Sequence, residues 1–155
     1  MILMMACCYI ISEITNILFN TKLKDNRFYY LSLKRDNNTK PWSIHGLWPQ
    51  YSKTSYPSYC RNIPFDIDNL EPIIMDLQNF WYFKESTSKA FWKQEWIKHG
   101  TCMFNDGNEY DYFKQALSSY VEVLQQNIID KFPLENNGTL VKIPLDLNFK
   151  IILPY

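Results

Sequence analysis

The only two histidines in this 155-residue chain, His45 and His99, each sit in a dense aromatic segment. Phe91–Cys102 reads FWKQEWIKHGTC and Trp42–Gln50 reads WSIHGLWPQ. If the first segment is helical up to Gly100, Glu95 and His99 lie four apart with Lys98 beside them, so three functional groups share one end of a helix face. Two imidazoles, a carboxyl and an ammonium supply a base, an acid and a positive charge without a metal. That set suits cleavage of an RNA phosphodiester by its own 2′-hydroxyl. One imidazole removes the 2′-OH proton, the other protonates the departing 5′-oxygen, and a cation offsets charge growing on the phosphoryl oxygens. The nucleophile is tethered in the substrate, which supplies proximity. Trp48, with Tyr51 or Tyr56 nearby, offers a π-face for the base beside the scissile bond.

Two other readings use the same residues. His45, His99 and Glu95 form a two-histidine, one-carboxylate set of the kind that holds a metal, but Lys98 beside it disfavours a bound cation. Taken singly, each residue is ordinary: a lone histidine is usually structural, and Phe91, Trp92 and Trp96 read mostly as packing. Only the ensemble points to chemistry.

The elements that must bring the two segments together fit in one domain, since 155 residues give room for one real core. Sixteen basic and sixteen acidic side chains cancel, which argues against a broad electrostatic nucleic-acid binder but not against an enzyme gripping one or two phosphates. Cys60 and Cys102 lack the spacing of zinc ligands. A Cys60–Cys102 disulfide is expected, implying an oxidising compartment, with two unpaired thiols as the alternative. Sequons at Asn37 and Asn137 fit a secreted glycoprotein. The opening MILMMACCYII resembles the apolar part of a signal peptide, although Ile10, Ile11, Ile14, Ile17 and Leu18 also mark one face of a short helix. Residues 1–20 are therefore read as a leader and 21–155 as a single domain.

Arg27–Leu33 is strand-like. Trp42–His45 is extended, with Gly46 allowing close approach and Pro49 ending the element. Helical spacing runs from Asp68, a candidate N-cap with Pro72 in the first turn, through Leu70, Ile73, Ile74, Leu77, Phe80 and Trp81. A second helix spans about Ser88–His99, capped by Ser86 or Thr87. A third runs from Asp111 to Asp130, with a core stripe of Phe113, Ala116, Leu117, Tyr120, Val121, Leu124 and Ile128. Leu140–Ile143 and Leu147–Leu153 read as strands. The order predicts an α+β fold, an antiparallel sheet with helices packed to one side.

The two segments resemble the active-site segments of the ribonuclease T2 family of secreted acid endoribonucleases. HGLWP followed about fifty residues later by FWxxEWxKHGTC is a specific pairing, and the likeness extends from Phe28 to Ala116, including YDYFKQAL at the third helix. The resemblance implies His99 as general base, His45 as general acid, Glu95 and Lys98 as stabilisers of the phosphorane, Trp48 as a base contact and Cys60–Cys102 as a family disulfide. It also implies a single-stranded RNA substrate, a 2′,3′-cyclic phosphate intermediate, no metal or other cofactor, no membrane, a monomer, and a secreted or lysosomal/vacuolar location. A catalytically silent RNA- or protein-binding relative is the alternative.

Four departures stand out. Gln94 replaces a histidine that assists phosphate binding in many members, which implies a weaker phosphate grip, and Gln50 stands where members often carry a base-contacting Asp or Asn. The loop before HGLWP lacks the usual cysteines, for which Cys7 and Cys8 are poor stand-ins. The chain stops at Tyr155, before strands that members usually carry, so the domain is read as C-terminally shortened, with an uncovered sheet edge.

Overall fold

A computed structural model of the chain describes residues 25–82 and 87–154. The stretch read as a leader, the two N-terminal cysteines and Ser86 lie outside them. Four antiparallel strands form one sheet, in the order β2-β1-β4-β3. They are β1 (Phe28–Lys34), β2 (Ser43–Gln50), β3 (Leu134–Glu135) and β4 (Leu140–Leu145). Period-2 alternation sorts the faces. Tyr29, Leu31 and Leu33 of β1 pair with Leu145, Ile143 and Val141 of β4, and all six are buried in the core. The helices pack on that side, giving the expected α+β architecture.

β2 runs on through Gly46 and Pro49 to Gln50, so Pro49 does not end the element. Among the described strands β2 is an edge strand, and an edge position tolerates the missing N–H of proline. The β1–β2 register shifts once: Ser32 pairs with Gly46 and Leu33 with Ile44, leaving His45 as the extra residue of a bulge. Without it, strict alternation would put His45 on the same face as buried Leu47. With it, Ile44 and Leu47 both reach the core, and the imidazole is re-aimed toward Trp48, 5.1 Å away between ring centres.

The helical region begins as a 3-10 segment, Ile67–Ile73, before α1 (Ile74–Phe80). Its N-cap is Asp66 rather than Asp68: the Asp66 carboxylate accepts from the Asp68 N–H. Buried Glu109 holds this segment to the third helix by accepting from Asp66 N–H and Asn69 Nδ2. Thr87 caps α2 (Ser88–Lys98) through the Ala90 N–H. α3 runs from Glu109 to Gln126, not Asp111 to Asp130: Asn108 and Asp111 close a capping box at its start, and left-handed Asn127 ends it. Tyr112 and Val123 join its core face, whereas Val121 and Leu124 of the expected stripe are exposed.

Leu147–Leu153 does not form a strand. The Asp146 side chain accepts from Asn148 and Lys150 N–H groups and Phe149 takes a positive φ, turning the chain; only a single bridge, Leu145 to Ile151, remains.

Candidate active site

The candidate site forms where the outer face of β2 meets the C-terminal end of α2. Trp48 is its centre. Its ring lies 5.3 Å from that of His99, at 29°, and edge-on to His45. Its Nε1–H donates to Glu95 Oε2 at 2.9 Å. One indole thus touches both imidazoles and the carboxyl that the sequence placed in separate segments.

Each group is held from outside. Trp81 Nε1 donates to the carbonyl of His45 at 3.1 Å, and Trp92 Nε1 donates to the carbonyl of Trp81 at 2.7 Å. Two residues read only as packing therefore fix the backbone of the bulge. His99 caps α2, its N–H donating to the Glu95 carbonyl. Gly100 follows because a Cβ there would lie 2.3 Å from the Trp96 ring.

The Cys60–Cys102 disulfide closes a separation of 42 residues and ties the end of α2 to the loop after β2, as expected. Neighbouring groups reinforce it: the Tyr59 N–H donates to the carbonyl of Lys98, and Arg61 donates to the carbonyls of Thr101 and Gly107. Replacing both cysteines by serine is expected to cost roughly 4 kcal/mol on the chain-entropy account, read as a lower denaturation midpoint with a larger m-value, since the denatured chain without the cross-link exposes more surface. A midpoint equal to that of the parent would show that the hydrogen bonds alone hold this junction.

A cleft of about 330 Å³ opens beside Trp48. Of the sequence candidates, Trp48, Gln50, Tyr56, Lys98 and His99 line it. Gln50 is buried, its amide 3.4 Å from the carbonyl of Trp48. His45 and Glu95 do not line the cleft; they pack behind Trp48. Tyr51 and Gln94 are not brought in: Tyr51 is half-exposed with its ring 6.0 Å from Phe104, and Gln94 is exposed on α2 outside the lining. Tyr30, Lys53, Thr54 and Lys142 line the cleft although the sequence reading passed them over. Alternation along RFYYLSL and LVKIPL carried a signal for two of them, since Tyr30 and Lys142 fall on the outer phase between core residues.

Burial dominates the electrostatics. It lowers His45 to about 4, helped by the charges of Lys34, Lys98 and Lys142, and lowers His99 to about 3, helped by Lys98 and His45. Burial raises Glu95 to about 7 against the opposing pull of the Trp48 hydrogen bond, Lys98 and Lys34. Nδ1 of both histidines is buried without a hydrogen-bond partner among the described residues. A histidine kept for structure would ordinarily have one. No group of three or more His, Cys, Asp or Glu among the described residues is placed to hold a metal ion, and no described helix is long and apolar enough to cross a membrane.

A sequence profile of the Ribonuclease T2 family matches residues 12–139, and the chain belongs to that family. Ribonuclease Oy of Magallana gigas is 36% identical over 88 residues, 52% of this chain and 41% of its own length. Ribonuclease 1 of Arabidopsis thaliana is 36% identical over 89 residues, 53% of this chain and 39% of its own length. The match thus spans about two fifths of the length of these relatives. Among solved structures, trichomaglin, described as a novel S-like ribonuclease, superposes with a TM-score of 0.64 over 83% of this chain and 91% of that one, at 20% identity. RNase NT in complex with 5′-AMP superposes at 0.61 over 85% and 94%, also at 20% identity. At such identities the likeness concerns the fold.

Proposed function

We propose that this protein is an endoribonuclease that cleaves single-stranded RNA by transphosphorylation, without a metal, leaving a 2′,3′-cyclic phosphate. The observation that carries this reading is the pair of imidazoles that both meet the Trp48 indole, each with a buried Nδ1 that has no hydrogen-bond partner among the described residues. In this mechanism the base of one nucleotide stacks in the cleft against Trp48 and Tyr56, which requires an unpaired base. Neutral His99 takes the 2′-OH proton, the 2′-oxygen attacks phosphorus, and protonated His45 delivers a proton to the leaving 5′-oxygen. Lys98 offsets the charge on the phosphoryl oxygens. Glu95, raised to about 7, is largely protonated in mild acid and donates a hydrogen bond to a phosphoryl oxygen while its other oxygen accepts from Trp48. Water then opens the cyclic phosphate with the histidine roles reversed. The disulfide suits a secreted or lysosomal/vacuolar setting, and a monomer suffices because one chain supplies every group named.

The test is one assay. Purified protein is incubated with an RNA oligonucleotide and its DNA counterpart, with and without chelator, and the new termini are identified. Cyclic phosphate from RNA alone, insensitive to chelator, is the expected result. DNA cleavage at a comparable rate would sink the mechanism, and RNA binding without cleavage would point to a silent binder.

A further inference from the structure

A second groove of about 390 Å³ adjoins the cleft and shares Tyr30, Lys53 and Lys142 with it. Its walls are otherwise apolar, with Phe28, Phe132, Pro144 and Leu153 among them. Phe28 and Tyr30 meet edge to face at 4.8 Å, and the Ile152 N–H donates to the Pro144 carbonyl, holding the segment after β4 against the end of that strand. The chain is neutral overall. Yet every charged residue lining either groove is a lysine, Lys53, Lys98 or Lys142, with no aspartate or glutamate among them. Lys142 is paired with Glu135 at 2.9 Å. An ammonium has three donors, so that partly exposed pair leaves N–H groups for a phosphate.

We infer that the second groove is a nucleotide subsite that takes the residue 5′ to the one stacked on Trp48, with its linking phosphate between Lys53 and Lys142. This rests on the catalytic reading above. The direction follows from the sheet register. Along the outer face of β1 the order is Lys34, Ser32, Tyr30, Phe28, with Gly46 opposite Ser32, Trp48 opposite Tyr30 and Gln50 opposite Phe28. His45, beside Gly46, therefore lies on one side of Trp48, and Phe28, which lines the second groove opposite Gln50, on the other. His45 serves the leaving 5′-oxygen, so the chain departing 3′ runs past it and the chain arriving 5′ runs toward Phe28. An aromatic wall with flanking cations and no carboxylate is the chemistry that takes a base and its phosphate.

The test uses oligonucleotides with a single cleavable bond: rUpdA, the 5′-extended dApUpdA and the 3′-extended UpdApdA, with only the uridine carrying a 2′-OH. The expected result is a kcat/KM for dApUpdA about tenfold above rUpdA, the lower part of the range for stacking one base, with no such gain for UpdApdA. In a Lys53→Gln/Lys142→Gln variant the ratio of dApUpdA to rUpdA falls toward one. A parent ratio near one, a gain only on the 3′ side, or a ratio unmoved in the variant would each overturn the subsite. If none of the three is cleaved, the catalytic reading fails separately. The groove is then read from fluorescence anisotropy of labelled, all-deoxy dApdUpdA against dUpdA: tighter binding of the longer probe supports it, and equal affinity overturns it.

Discussion

His45→Ala and His99→Ala are each expected to lower RNA cleavage by about 10²- to 10⁴-fold, the range for removing one positioned proton donor or acceptor. The two losses should not multiply, since the groups act in one concerted unit. The pH profile separates a catalytic from a packing role. Productive free enzyme needs His99 neutral and His45 protonated. Below the His99 pKa the base is blocked, so kcat/KM falls toward low pH; above the His45 pKa the acid is empty, so it falls toward high pH. Burial places these two groups at about 3 and about 4, well under an ordinary histidine. The maximum of kcat/KM is therefore expected on the acid side of the usual imidazole range. Bound phosphodiester is negative and favours both protonated forms, so the kcat profile should sit at higher pH than that of kcat/KM. Initial rates from pH 3 to 8 check this; a flat profile, or a His variant that keeps most of its activity, would show that the roles are misassigned.

Gly46→Ala is expected to cost about 10²-fold in activity, although it adds one methyl group and replaces no proposed catalytic residue. A Cβ at position 46 would lie 2.2 Å from Glu95 Oε2 and 2.3 Å from Trp48 Nε1. The carboxyl and the indole are therefore expected to shift, which disturbs the 2.9 Å bond between them. Moving such groups by an ångström is enough for a loss of that size. The fold should survive, because the clash falls on Glu95 and Trp48, neither of which belongs to the hydrophobic core cluster. Kinetics with parallel thermal melts test this. Activity close to the parent would show that the Trp48–Glu95 contact does not organise the site; equal collapse of stability and activity would make the glycine a folding requirement.

Gly46 also marks the limit of sequence reading here. The motif exposed a glycine between His45 and Trp48 and suggested close approach, but not to what; one approaching group is the Trp48 indole of β2 itself, and the other, the Glu95 carboxyl, comes from α2 about fifty residues on. The strands were legible wherever alternation was strict, as in β1 and β4. It failed at Pro49, where edge position rather than residue type decides whether a missing N–H matters, and after Leu145, where the Asp146 side chain outcompetes strand pairing. The stripe of α3 was read partly out of phase, with Val121 and Leu124 exposed, because helical periodicity gives a face but not what lies against it.

For the candidate site, local chemistry sufficed to nominate His45, Trp48, Glu95, Lys98 and His99, because those side chains cluster within two short segments. The pairing of Cys60 with Cys102 was equally within reach, as few partners were available. Three things depended on the folded chain. A one-residue bulge turned His45 from the core face toward Trp48. The register of β1 and β4 carried Tyr30 and Lys142 into the cleft, and burial, more than any charged neighbour, moved both imidazoles and Glu95 from their ordinary pKa values. Register and burial arise from contacts between residues far apart in the chain. Composition and spacing along one segment do not encode them.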